Sequence, residues 1–390
     1  MTHHGELDFG LQSDIPDVHR VLADLRREAP VVEVGTGPAH AYIVLTHEHL
    51  RAALRDEESF PSEASYSEIM DPAVGRSLNS MQGEEHNRNR AIVSPTFRRQ
   101  AMSAQRVDVL EPVCHELLDR VQGVREFDLR AAYTHLFPMM VITKLIGMPW
   151  HAYETLERWT DALFLFPIDP DGALQAKSEL TDFLLGVMKR RRDDPTDDLV
   201  TTLVTGEFHG RRLSDEEILS FLRLLFPAGT HNTTNGISSM FFALLADPEQ
   251  YERVCAEPDS RRAAAEEALR WEPPVSNLPR RASSAGAELG GVVLPPDAPM
   301  IYSFAAANRD PAVFPDPDRY DIDRSTGDTL TFGLGEHFCL GAWLAREEMS
   351  VALDVLIERT KRVQLADAEE ARPRGATLRG PVSLPVVVEW

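Results

Sequence analysis

Apolar positions along this chain follow two rhythms. From about residue 84 to residue 268 they recur every three or four places, the period of an amphipathic helix. Pro- and Gly-bearing breaks at 166–172 and 193–198 divide that stretch. Before residue 60, a short helical pattern over 17–29 is followed by alternating segments at 31–34 and 42–45, which read as small strands. Residues 271–335 turn rich in Pro, Gly and Asp, with strand-like pieces at 292–294 and 300–303. An amphipathic helix follows at about 341–359, and a strand at 383–388. The pattern predicts a mainly α fold with small β-sheets (α+β). No linker or internal repeat divides it, so 1–390 is expected to be a single domain with a flexible start of about 15 residues.

One predicted helix dominates. Ser214 with Glu217 three places on is a capping box, and Pro248 follows the apolar run. The 33 or so residues between them would form a rod of roughly 50 Å. Ile218, Leu222, Leu225, Phe226, Met240, Phe241 and Leu244 make it apolar on most faces, as a helix through the middle of a protein must be. Halfway along stands a polar interruption, Ala-Gly-Thr-His-Asn-Thr-Thr-Asn (228–235). Buried polar groups are costly unless satisfied, so these residues either form a hydrogen-bonded kink around Gly229 and Thr233 or serve chemistry.

Composition narrows the classes. Of 390 residues, 40 are Lys or Arg and 62 Asp or Glu, a formal net charge of −22, which argues against a nucleic-acid binder or a partner for anionic lipid. At 43% hydrophobic the chain can bury a large core. No run of about 18 apolar residues appears, and the start lacks the pattern of a signal peptide. Cys114, Cys255 and Cys339 are too few and too scattered for a disulfide framework. A soluble cytoplasmic protein is expected. Weaker signals point nowhere: His47-Glu-His49 lacks the spacing of a zinc protease and reads as a solvated loop. His3-His4 reads as incidental, and Cys114 and Cys255 as structural or surface residues.

The chemistry-bearing motif is Phe332-Gly-Leu-Gly-Glu-His-Phe-Cys-Leu-Gly341, directly before the last helix. Two glycines ahead of the cysteine permit a tight turn. Cys339 then falls at a helix N-terminus, where free N–H groups favour a thiolate, either a nucleophile or a metal ligand. A lone cysteine is otherwise commonly an inert buried residue.

The motif F-G-x-G-x-H-x-C-x-G resembles the haem-binding loop of the cytochrome P450 superfamily, the haem-thiolate monooxygenases. Glu267-Ala-Leu-Arg270 is similar to that family's E-x-x-R helix. Ala307-Asn-Arg-Asp-Pro311 and Phe314-Pro-Asp-Pro-Asp-Arg-Tyr-Asp321 are similar to the segments that follow it. His86 with Arg90 and Phe97 resembles the helix at the haem propionates. Asp197-Asp-Leu199 and Arg379-Gly-Pro381 also fit. The resemblance runs from about Ala29 to the C-terminus, in order and at ordinary spacing, and is to the soluble bacterial members.

That resemblance implies a cytochrome P450 fold with haem b (iron protoporphyrin IX) between the long central helix and the cysteine loop. Cys339 would be the metal ligand. Ala228, Phe332, Gly333 and Gly341 would line the cofactor, and His86, Arg90, Arg281 and His337 would meet its propionates. Glu267, Arg270 and Arg319 would form a buried network locking the loop. Thiolate ligation favours O–O cleavage. The implied reaction inserts one atom of O2 into a largely apolar small molecule of secondary metabolism, with electrons from ferredoxin and ferredoxin reductase and the enzyme a monomer. Arg98, Arg99 and Arg346 either form a local basic face for that acidic partner or are ordinary solvated arginines.

One departure stands out. Where the family's central helix reads Ala-Gly-x-acid-Thr-Thr, this chain puts His231 at the acid and Asn232 at the threonine. An amide donates a hydrogen bond but does not relay a proton as a hydroxyl does, whereas a histidine titrates near neutral pH. Three readings stand. Protons come from His231, water or the substrate's own hydroxyl. Alternatively, the chemistry is atypical (peroxide-driven, peroxo-nucleophile or non-oxygenating) or the protein only binds and recruits. Lastly, a one-residue bulge after Gly229 moves Thr233 into the threonine's place.

By the same resemblance the loop before the His86 helix supplies Tyr66, Met70, Leu78 and Met81 to a substrate pocket, and the segment near 164 supplies Leu163, Phe164 and Phe166. The long helix supplies Phe226, and the later stretches Val275, Leu278 and Val382. This lining is apolar, with flexible Met fill, and half of it is expected to be plain core.

Overall fold

The computed structural model describes residues 7–36, 39–148, 152–208 and 210–390; the His3-His4 pair lies outside the described residues. Helix α1 (Val18–Glu28) buries Val18, Leu22 and Leu25, one stripe at helical spacing. That stripe packs with Val34, Ile43 and Ile301 of the larger sheet. The sheet has the order β1 (Val31–Thr36), β2 (Ala39–Val44), β4 (Pro299–Ser303), β3 (Asn277–Arg281). The β1–β2 and β3–β4 pairs are antiparallel, while β2 and β4 run parallel with Tyr42 opposite Met300. This brings the β1–β2 hairpin beside the segment leading to the cysteine loop. A smaller sheet sets Pro385–Glu389 between Arg362–Leu365 and Glu126–Asp128.

Helices α2 (Ser62–Ile69), α3 (Gly83–Val93), α4 (Leu136–Leu145) and α5 (Tyr153–Phe164) precede the long helix α6 (Asp215–Ala246). At 32 residues, α6 is about 48 Å long. Its N-terminus is the expected capping box. The Glu217 N–H donates to Ser214 Oγ at 3.2 Å, and the Ser214 N–H donates to Glu217 Oε2 at 2.8 Å.

The one-residue bulge allowed after Gly229 is absent, since α6 stays α-helical through 228–235, with Pro227 inside it. Gly229 serves close packing instead: a methyl there would stand 3.0 Å from Ile142 Cδ1 of α4. The polar side chains are absorbed by bonds to the preceding turn, Thr230 Oγ1 donating to the Phe226 carbonyl at 2.8 Å and Asn232 Nδ2 to the Ala228 carbonyl at 3.3 Å. The π-helical turns lie elsewhere, at Arg106–Leu110 and Arg130–Thr134.

Helices α7 (Ser260–Trp271) and α8 (Ala342–Arg359) flank α6, with Gly236 the small residue between Met349 and Leu269. On α7, Glu267 and Arg270 have no exposed side-chain surface and meet at 2.7 Å through two bonds. The network needs a correction: Arg319 contributes only its carbonyl, at 3.1 Å from Arg270 Nη2. The third charged side chain is Arg324, with Nε at 3.1 Å from Glu267 Oε1. Arg324 can reach because the turn over 316–321 folds back and also presents the Asp321 N–H to Glu267, at 3.0 Å.

A second correction concerns His47. It is buried, not solvated, and opens the short helix His47–Ala53, donating its N–H to Asp310 Oδ2 at 2.9 Å; its Nε2 lies 2.7 Å from the Asp328 carbonyl. It ties two loops together and meets no metal-like cluster.

Candidate active site

The cysteine loop turns on Gly333 and Gly335, both in the left-handed region at φ 71° and 74°, where a side chain would be strained. The turn returns Cys339 to Phe332, whose carbonyl accepts the cysteine N–H at 2.8 Å. Gly341 then caps α8. Cys339 has accessible surface although protein surrounds it, so its sulfur faces an interior cleft. Burial pushes the thiol up from its ordinary value, opposed by the Gly341 N–H and by the nearby Arg90 and Arg346. A free thiol here is neutral, and a bound metal would displace its proton.

Beside the loop lies a cluster of unsatisfied nitrogen. His86, on α3, has no exposed surface, and neither ring nitrogen has a hydrogen-bond partner among the described residues. His337 Nε2 is likewise unpartnered, and the two rings lie 4.6 Å apart. Burial first, then His86, Arg280 and Arg90, push His337 down to about 4, and burial with Arg90 lowers His86. Glu57 and Glu336 flank His337 at 3.7 Å, too long for a hydrogen bond. Arg90 also donates to the Phe338 carbonyl.

Arg281 does not join this group: it pairs with Glu68 at 2.6 Å in a half-exposed bridge. Its neighbour Arg280 takes the place, buried, 4.8 Å from the Tyr66 ring. Adjacent residues on a strand face opposite ways. Counting parity from the buried Asn277 would have chosen Arg281, the opposite of what is found, because the burial of β3 does not alternate strictly.

On α6 the exposed positions identify an open face within an otherwise buried rod. Ala228 is exposed, and Leu225 and Asn232, one turn away on either side, are partly so. Asn232 Oδ1 has no partner among the described residues. Thr233 is buried, a hundred degrees or so further round. His231 turns toward α5, where its Nε2 stands 3.1 Å from Asp161 Oδ1, within ion-pair reach but out of line for a hydrogen bond. Its ring lies against Phe164 at 5.2 Å.

Comparison with known proteins gives the arrangement a family. The cytochrome P450 family model matches residues 9–372. This chain belongs to the cytochrome P450 family. The mycinamicin IV hydroxylase/epoxidase of Micromonospora griseorubida is 34% identical over 359 residues, 89% of each chain. The 6-deoxyerythronolide B hydroxylase of Saccharopolyspora erythraea is 33% identical over 390 residues, 95% of this chain and 96% of that one. Among solved structures, cytochrome P450 CYP109Q5 from Chondromyces apiculatus superposes with a TM-score of 0.88 at 29% identity, covering 96% and 97% of the two chains. The protein is accordingly a haem monooxygenase of the kind found in secondary metabolism, an oxidoreductase.

The residues present fit the P450 haem. A sulfur faces a cleft, and the buried His86 and partly buried His337, each with an unpartnered ring nitrogen, stand beside it with two arginines, the donor set that anionic propionates require. Phe332 and Gly333 belong to the same loop, with the Phe332 ring 6.4 Å from Phe338.

The expected pocket residues divide. Phe226, Leu163 and Met81 are wholly or nearly covered by protein, and Leu78 largely so; they are core. Tyr66, Met70, Phe164, Phe166, Val275 and Leu278 are partly exposed, and Val382 is 59% exposed. A bridge between Val275 and Leu378, together with the fit of Gly380 against Asn235, brings the last two segments of this P450 to α6. The basic face is smaller than expected: Arg346 is engaged by Glu266 at 2.6 Å and lies over Phe332 at 4.3 Å, leaving Arg98 and Arg99 exposed. No helix among the described residues is long and apolar enough to cross a membrane.

Proposed function

We propose that this P450 hydroxylates or epoxidises a bulky, largely apolar secondary metabolite such as a polyketide macrolide. The observation that carries this reading is the exposure of Ala228 on α6, together with apolar side chains left partly or largely exposed in three separate segments, Phe164 on α5, Leu278 on β3 and Val382 near the C-terminus. Haem b would be the cofactor, held through Cys339, with Arg90, Arg280, His86 and His337 placed to meet its propionates. When bound, it supplies O2 activation. The chain's own residues hold the propionates, exclude water with the Phe164 side of the cleft and bring protons to the α6 face. His231 is the group of the three candidates able to titrate; Asn232 orients by hydrogen bonding, and Thr233 packs.

Electrons come from a ferredoxin and its reductase, with Arg98 and Arg99 as rim contacts for an acidic partner. Three free cysteines fit a reducing cytoplasm. The test is a screen of macrolactones, beginning with 6-deoxyerythronolide B and mycinamicin IV, for a spin-state shift of the ferric protein. Mass analysis of products made with O2, NADPH, ferredoxin and reductase follows. A hit that gains 16 mass units supports the reading, whereas no shift with any apolar macrocycle sinks the substrate class. A second reading, peroxide-driven turnover, is favoured by the missing hydroxyl at Asn232; product formed faster with added peroxide than with O2 and NADPH would select it.

A further inference from the structure

Resting on the monooxygenase reading above, we propose that Asp161 is the positioning carboxylate of this enzyme's proton supply, acting through His231. The carboxylate that the central helix lacks would then be provided from the neighbouring helix α5. Turnover, RH + O2 + 2 e− + 2 H+ → ROH + H2O, consumes two protons, and a route from bulk water to the α6 face is required to bring them.

The geometry offers one. Asp161 is 50% exposed, so water reaches it, while His231 is 26% exposed and stands 3.1 Å away. His231 lies three positions after Ala228 on α6, which puts the imidazole at the border of the open face that includes Ala228 and Asn232. The ring is held by Phe164, three residues after Asp161, so one face of α5 both partners and orients it. A carboxylate beside an imidazole favours its protonated form and selects its tautomer. In the proposed transfer, water protonates the imidazole, Asp161 stabilises the resulting charge, the proton leaves toward the cleft, and the imidazole returns to neutral. No electron moves and no bond other than N–H and O–H is made or broken. Asn232 takes no part as a relay, since its amide donates to the Ala228 carbonyl.

The same helix carries an internal control. Glu157, one turn earlier on α5, hydrogen-bonds His135, which caps the start of α4 and does not belong to α6. A purely structural role for Asp161, docking α5, would be shared by Glu157.

The experiment compares wild type, Asp161→Asn, Asp161→Glu and Glu157→Gln as haem-loaded proteins. The first readout needs no substrate: NADPH and O2 consumed and peroxide released, with ferredoxin and reductase supplying electrons. Reduction of O2 to water needs two NADPH per O2 and to peroxide one. Asp161→Asn should raise the peroxide-to-water ratio about tenfold, Asp161→Glu should restore it and Glu157→Gln should leave it alone. The second readout is the ring-nitrogen NMR signature of the His231 tautomer in the diamagnetic ferrous carbon-monoxide form, which Asp161→Asn should change and Asp161→Glu should restore. An unchanged ratio, an unchanged tautomer signature, or an equal loss in Glu157→Gln would each overturn the proposal. Failure of the monooxygenase reading shows differently: wild type would form no oxygenated product with any screened macrolactone, whatever the ratio in the variants.

Discussion

The two sides of the cleft obey different rules. On the cysteine side the ionic lock is complete, with Arg324 in the place expected of Arg319: the Glu267 carboxylate is bonded by Arg270, Arg324 and the Asp321 N–H. On the α6 side the acid and the alcohol have been replaced by His231 and Asn232, while the segment stays α-helical. The contrast follows from what each side must do. Holding a sulfur in place is a geometric task, and a buried ionic lock tolerates no missing partner because the remaining charge is left uncompensated. Delivering a proton needs only a titratable group within reach of water and of the cleft, so it can be moved to a neighbouring helix.

The largest effect should come from breaking the lock. Glu267→Gln leaves the fully buried Arg270 charge without its counter-ion, and a cost of about 3–5 kcal/mol is expected. Urea unfolding of the haem protein measures it; a loss below about 1 kcal/mol would mean that the backbone carbonyls around Arg270 suffice.

Next in size is the pair on β3. Arg280→Ala removes a buried cation from the group around His337 and its contact with Tyr66, a loss of about 1.5–3 kcal/mol to the cofactor. That corresponds to haem transferring to an apo-globin acceptor some ten- to a hundredfold faster. Arg281→Ala removes only a half-exposed bridge to Glu68 and should change transfer little. Reversal of that order would return the role to Arg281.

The difference between these neighbours shows where the sequence could be read and where it could not. Helix spans followed from periodicity and capping, because Ser214, Glu217 and Pro248 act locally: α6 ends within two residues of its expected limits. The cysteine loop followed because its glycines and its sulfur are specified at fixed spacing. What failed was long-range side-chain choice. Whether Arg319 or Arg324 reaches Glu267 depends on how a turn folds back, and whether Arg280 or Arg281 faces inward depends on a strand with irregular burial. Asp161 gave no signal, since its partner lies 70 residues away on another helix. His47 misled because a histidine next to a charged residue looks solvated until Asp310 and Asp328 are seen around it.

One residue breaks the cysteine side's pattern of satisfied charge. Glu348 on α8 is 1% exposed, and neither carboxyl oxygen has a partner among the described residues. Burial holds its proton far above the usual carboxylate range. Its folded-state value is raised, so its contribution is complete below the unfolded value, near 4.3. Above that value it declines by about 1.4 kcal/mol per pH unit until the folded carboxyl also ionises. Glu348→Gln should remove that slope, and the variant should gain on wild type at each step from pH 5 to pH 8 in urea melts. Glu272 is no confounder: its value is depressed by His19 and Arg379, so its contribution fades only in acid. Parallel curves for the two proteins would show that Glu348 has a partner after all.

The smallest expected effect is the sharpest test of the contrast. Restoring the family's hydroxyl with Asn232→Thr should alter the ratio of product to electrons by less than about threefold, below roughly 0.7 kcal/mol. Threonine inside a helix readily bonds the carbonyl four residues back, and the Ala228 carbonyl already receives the Asn232 amide at 3.3 Å. The new hydroxyl would donate its proton to the helix instead of the cleft, and proton supply would still depend on His231 and Asp161. A large gain in coupling from this single change would show the opposite. Position 232 would then control protonation in this enzyme as in its family, and the carboxylate on α5 would be only a strut.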